Sequence, residues 1–289
     1  MKLPLLTICL TLVAAAAQAS DVNLTADQKV EWHQKSQKIV AVGNAVATKD
    51  DMNIKADRLI GYYAGRQNTA KGKSKITKVE ARGNVAMHSP KADAFGSAMD
   101  YDLVQDVVIL CGEPAKIKTD TETISAEDNI TYYPSQQKAV AFGNVIAVDK
   151  DSNRIFADKM VAYFIKGGNN DNTSGLTLDK VEISGNVKIK TPNADVSSDR
   201  GTYLPRTGKI KLYDHIVIEQ NGNILKGDLA ETDLNTGISK LLSSAKQRRV
   251  KGVFKEKQEK DKKTASEQQA PKPDTAKQKS ETNDYQLQY

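Results

Sequence analysis

The residues equipped for chemistry are few and scattered. His33, His88 and His215 stand far apart, with no His-x-x-x-His or Cys-pair companion, so the spacing of a metal site is missing. The chain has no nucleophile elbow, no glycine-rich phosphate loop opening a helix, and no His/Cys pair with a triad partner. Carboxylates are plentiful, and elongated β-solenoid glycosidases do work with paired carboxylates. Here, however, the acids recur at one place in a repeating pattern, each after a small residue: Ala26-Asp27, Ala56-Asp57, Ala126-Glu127, Ala157-Asp158, Ser198-Asp199 and Gly227-Asp228. A feature that recurs reads as a structural corner, whereas catalysis normally appears once. The expectation is a protein that is not an enzyme and has no catalytic residues, no metal and no cofactor.

What does recur is an apolar face. Its members are Val40, Val42, Ile54, Val85, Met87, Met99, Leu110, Val140, Phe142, Val145, Ile155, Met160, Val181, Ile183, Val187, Ile189, Ile216 and Ile218. The plainest reading of such a face is a hydrophobic core. Two features point further. A repeat of strands leaves open sheet edges at both ends, which most proteins avoid or disguise. Several inward positions are small (Ala45, Ala47, Ala81 and Ala147), so side chains need not fill the interior everywhere.

The elements that must carry this face are strands. "KVEISGNVKIKT" at 180–191 alternates through a Gly-Asn, and "KVEARGNVAMHS" at 78–89 says nearly the same. Gly followed by a polar residue recurs at Gly43-Asn44, Gly83-Asn84, Gly112-Glu113, Gly143-Asn144 and Gly185-Asn186, with Asp214-His215 in the sixth place. Period-two alternation and β-branched residues, with turns every dozen or so residues, make the body all-β. Glycine inside a continuing alternation marks a bend or bulge, and a bend every five or so residues carries a strand from one sheet to a facing one. Alternation alone does not distinguish parallel from antiparallel pairing. Gly43 and Gly143 are 100 residues apart, and Gly83 and Gly185 are 102 apart, so the body is a tandem duplication with copies at 20–125 and 126–245.

Both ends differ from this body. "MKLPLLTICLTLVAAAAQAS" has Lys2, an apolar run and Ala17-Gln18-Ala19, the pattern of a secretory signal over 1–19. Its removal takes Cys9 and leaves Cys111 unable to form an intramolecular disulfide. Cys111 is read as a small buried apolar residue, or else as a reactive or intermolecular thiol. Residues 246–289 hold 12 Lys/Arg and 7 Asp/Glu, or +5 of the net +6; Lys2 supplies the remaining charge, so 20–245 is neutral. That argues against a nucleic-acid partner, whose domain would carry its charge on a folded face. The tail is rich in Lys, Glu, Gln, Ser and Pro, and its composition predicts disorder.

At the residues quoted, the sequence resembles the LptA/OstA family of periplasmic lipopolysaccharide-transport proteins. The resemblance runs through "VNLTADQKVEWHQKSQKIVAVGNAVATKDDMNIKADRLIGYY" at 22–63. It recurs in "DSNRIFADKMVAYF" and "ADVSSDRGTYLPRTGKIKLYDHIVIEQNGNILKGDLAETDLNTG", covering roughly 22–240. It implies an elongated, twisted two-sheet β-jellyroll of OstA type, whose apolar face lines a groove for the acyl chains of lipopolysaccharide in the periplasm. The implied partners are lipopolysaccharide, an LptC-like inner-membrane protein, an LptD-like outer-membrane translocon, and further copies joined head to tail. About seven strand layers at ~4.8 Å would make the body roughly 35 Å long. The basic tail could touch anionic phosphates on the lipid or at a membrane. The competing reading is an exported β-solenoid-like scaffold or adhesin with a filled core and no lipid cargo. A carbohydrate-binding or carbohydrate-cleaving protein is disfavoured, because Trp32 is the sole tryptophan to offer a stacking platform.

Overall fold

The computed structural model describes residues 22–64, 75–166, 176–236, 238–243 and 249–254. The expected leader, most of the linkers at 64–78 and 165–180, and the tail beyond Phe254 lie outside the described residues. In chain order the strands are β1 (Asn23–Thr25), β2 (Lys29–His33), β3 (Lys38–Lys49), β4 (Met52–Ala64), β5 (Lys75–Ser89), β6 (Ala92–Asp102), β7 (Val107–Cys111), β8 (Ala115–Lys118) and β9 (Glu122–Ala126). They continue with β10 (Asn129–Tyr133), β11 (Lys138–Asp149), β12 (Arg154–Lys166), β13 (Leu176–Lys190), β14 (Asp195–Leu204), β15 (Lys209–Gln220), β16 (Asn223–Asp233), β17 (Ile238–Leu242) and β18 (Lys251–Val253). Two single turns of 3₁₀ helix, Pro134–Gln136 and Pro205–Thr207, sit between strands.

Every pairing is antiparallel, and each long strand pairs with the strands next to it in sequence. Four rungs are split at the corner, because two short strands pair with one long neighbour: β1 and β2 on β3, β7 and β8 on β6, β9 and β10 on β11, β17 and β18 on β16. Counting each split pair once gives fourteen bent rungs: four split and ten continuous. Thirteen spacings of ~4.8 Å make the ladder about 60 Å long, nearly twice the expected 35 Å. The shorter figure took about seven layers, whereas every bent rung contributes a layer to each wall. One wall contains β2, β7, β10 and β17 with the half-strands beside them; the other contains β1, β8, β9 and β18.

The bends are bulges. Gly43 and Asn44 of β3 together oppose Asp57 of β4, with register resuming at Val42↔Arg58 and Ala45↔Ala56. Both bulge residues take positive φ: +75° and +46° at Gly83-Asn84, +79° and +48° at Gly185-Asn186. A Cβ on Gly185 would run into the Asp158 carboxylate, so only glycine fits there. The recurring acid and the recurring Asn turn out to be two ends of one hydrogen bond between neighbouring rungs. Asn44 Nδ2 donates to Asp27 at 2.7 Å, Asn84 to Asp57 at 2.9 Å, Asn144 to Glu127 at 2.6 Å and Asn186 to Asp158 at 2.9 Å. At the sixth corner His215 Nδ1 lies 2.8 Å from Asp199 Oδ2.

The fold is thus all-β, an antiparallel two-sheet jellyroll. One apolar cluster joins residues of both walls, Leu59 and Met99 from one and Met87 and Ile117 from the other. Within the basic segment at 246–289 a short stretch is ordered. Lys251–Val253 forms β18, paired with Ile224–Lys226, because the last rung still presents an open edge to which a short strand can add.

Candidate functional site

The inward surface is built one residue per rung. In the first wall Val30, Ala41, Leu59, Ala81, Met99, Leu110, Ile130, Ala141, Met160, Ile183, Gly201, Leu212, Ala230 and Leu241 are successive cross-strand partners. In the second wall a parallel row runs Leu24, Ala47, Ile54, Met87, Ala94, Ile117, Ile124, Ala147, Ile155, Ile189, Val196, Ile218 and Leu225. Small residues beside large ones let the two rows interdigitate.

Fourteen of the eighteen expected lining residues face this interior: Ile54, Val85, Met87, Met99, Leu110, Val145, Ile155, Met160, Val181, Ile183, Val187, Ile189, Ile216 and Ile218. The other four do not. Val40, Val42, Val140 and Phe142 occupy the opposite face of β3 and β11, whose inward residues are Ala41, Ala45, Ala139, Ala141 and Val145. Phe142 is 42% exposed and lies under the Lys159 ammonium, 4.9 Å from its ring centroid. The signal that separates the faces is the corner glycine, since inward residues share its parity: 139, 141, 145 and 147 around Gly143. In "KAVAFGNVIAV" the outward residues are the larger ones, and size misleads. Phe164 and Leu178 also face inward: Phe164 keeps the parity of Met160 and Ala162, whereas Leu178 breaks that of Val181 and Ile183, because Asp179 is an extra residue on β13.

In mid-ladder the interior is closed, with Val145 0% and Met99 2% exposed. At the first rung it is open. Val30 and Trp32 stand in the inward rows yet are 51% and 68% exposed, with no rung before them; Trp32 Nε1 donates to Tyr63 Oη at 2.5 Å. At the other end Leu225 and Leu241 are half-buried.

The expected absence of chemistry can be set against placement. Each histidine sits on the surface beside one carboxylate: His33 with Glu31, His88 with Asp93, His215 with Asp199. Among the described residues no three of His, Cys, Asp and Glu are placed to hold a metal ion. Cys111 is half-buried in an outward row between Ala98 and Asn129, not in the core. Two buried groups in the interior break the apolar pattern. Glu122 and Tyr203 lack hydrogen-bond partners at Oε1, Oε2 and Oη, and each such group costs about 1–3 kcal/mol. Burial, with the Asp149 charge adding, pushes the Glu122 carboxyl up to about 8.

Residues 23–138 and again 128–238 match the family described as LptA/(LptD N-terminal domain) LPS transport protein. The chain belongs to this family. Membership makes it a protein of lipopolysaccharide-transport type, in a family of transport proteins rather than enzymes. Among solved structures, the chain is similar to LptH from Pseudomonas aeruginosa, described as the LptA homologous periplasmic component of the lipopolysaccharide transport device. The identity is 16%, over 47% of this chain and 95% of that one, with a TM-score of 0.38. No curated protein matches the sequence. No helix of the described residues is long and apolar enough to cross a membrane.

Proposed function

We infer that the protein carries lipopolysaccharide through the periplasm, with the acyl chains sheltered between its two walls and the polar head left in water. The copies at 20–125 and 126–245 then act as one continuous carrier, exported by the leader at 1–19. The observation that carries this reading is the unbroken inward row, one residue per rung over all fourteen rungs, exposed where the first rung ends. Exposing one acyl chain of a dozen carbons to water costs on the order of 10 kcal/mol at ~0.8 kcal/mol per CH₂. An apolar path removes that barrier without any covalent step.

The terminal rungs, β1 with β2 and β17 with β18, pair along one edge only among the described residues. Edge addition through them suits an LptC-like protein at one end, an LptD-like translocon at the other, and further copies between. A ladder of about 60 Å needs fewer copies than the 35 Å estimate would.

A second reading is favoured by the closed mid-ladder core: a scaffold whose interior is filled and which carries no lipid. Co-purification separates the two. Full-length protein isolated from the outer compartment of lipopolysaccharide-producing cells, then extracted and analysed by mass spectrometry, should yield lipid A at a stoichiometric fraction of the protein. Protein that is folded and lipid-free under the same conditions would favour the scaffold.

A further inference from the structure

Four half-strands of the second wall belong to split rungs, and three of them set an aliphatic side chain in the inward row. These are Leu24 of β1, Ile117 of β8 and Ile124 of β9. The fourth, β18, sets Gly252 there, opposite Leu225. The place is not left bare. A Cβ on Gly252 would meet Phe254 Cε2 at 2.9 Å and Leu225 Cδ2 at 3.1 Å. The Phe254 ring therefore folds back over the glycine, on the side of Leu225, and supplies the apolar surface that the strand itself lacks.

This cover is weakly held. Phe254 is 72% exposed. All three residues of β18 are exposed, whereas Ala115 and Ile117 of β8 are buried. One of the three pairs that β18 makes sets Lys251 opposite Lys226 on the outward face, and like charges so placed weaken a pairing. β8 follows β7 across a corner at 112–114, but β18 follows β17 only after residues 243–250. It can lift while β17 stays paired.

We propose that the last rung holds an acyl-chain subsite over Gly252, beside Leu225 and Ile218, closed by the Phe254 ring until a chain displaces it. This rests on the reading that acyl chains enter the interior, and it gives residues of the basic tail a part in binding. An acyl chain is the occupant that fits. The subsite continues the inward row from Ile218 to Leu225, and the ring that a chain must replace is itself apolar. A chain reaching the end of the row exchanges the contact of ring with Leu225 for its own. That exchange keeps the same apolar surface from water, so it carries little net cost.

The test uses exported full-length protein with a photo-crosslinking residue at Ile218, the register partner of Leu225, or at Ile54 toward the first rung. Purified lipopolysaccharide is the probe. Lys226→Cys with Lys251→Cys, in a Cys111→Ser background, pins β18 to β16 through a disulfide on the outward face. Adducts at Ile218 should be lost in the oxidised form and return on reduction, while those at Ile54 stay unchanged. Phe254→Ala should raise the Ile218 adduct about threefold, in keeping with the small buried share of the ring. Ile218 adducts as strong in the oxidised form as in the reduced one would overturn the subsite and leave the sheltering reading in place. Adducts at neither position in any form would overturn both.

Discussion

At the scale of single residues, Glu122 gives the fold a pH dependence of unusual sign. Its carboxyl is raised from 4.5 to about 8 by burial and by the Asp149 charge. Asp149 of β11 stands beside it in register. A raised carboxyl means that the folded state favours the neutral form. Its contribution to stability is therefore complete below pH 4.5 and is lost as pH rises toward about 8. The loss is bounded at about 5 kcal/mol, at ~1.4 kcal/mol per unit of displacement. Urea midpoints should fall between pH 5 and 8 in the unaltered protein and stay nearly flat over that span in Glu122→Gln. Equal slopes in both would show that Glu122 is solvated in the folded state. None of this was legible in the sequence, where Glu122 is one more acid in "TDTETISAED"; its burial depends on packing inside the folded body, which hydropathy does not record. The parity error at Val40, Val42, Val140 and Phe142 has a similar cause. Both faces of β3 and β11 are apolar, so hydropathy could not choose between them, though the glycine's position could.

At the scale of the element, the unit is a bent rung whose corner is stitched to the rung before it. The acid and the Asn seventeen to twenty-eight residues away form one hydrogen bond, and the glycine leaves space for the acid. Gly185→Ala should cost about 2 kcal/mol or more, because it adds a Cβ at φ +79° against Asp158. Adding Asp158→Ala should recover the overlap but not the backbone strain, so the double variant should lie between the single Gly185→Ala variant and the parent in urea. Additive losses would contradict the contact. These corners were the most legible part of the fold, since Gly-Asn and small-acid pairs punctuate an otherwise alternating chain. Their mutual pairing was not, because it needs antiparallel neighbours and alternation is silent about direction. The short β18 was hidden for a different reason: Lys251-Gly252-Val253 has no composition to set it apart from the basic tail, and it is ordered by the edge of β16.

At the scale of the whole body, fourteen rungs enclose one apolar interior about 60 Å long, closed in mid-ladder and open at the first rung. The membership of the family was legible from the resemblance carried by the ordered repeats over 22–240, and the number of rungs was not, because each rung serves both walls. The central claim is that lipid travels inside this ladder. The most direct measurement places a photo-crosslinking residue in turn at Ile54, Ile183 and Ile218, which face inward on β4, β13 and β15, and at Phe142 and Lys188, which face outward. Cells producing each variant are irradiated and probed for lipopolysaccharide adducts. Adducts at all three inward sites and at neither outward site are expected. A folded, exported protein with no adduct at any inward site, or with adducts at Phe142 and Lys188 as strong as those inside, would contradict the account.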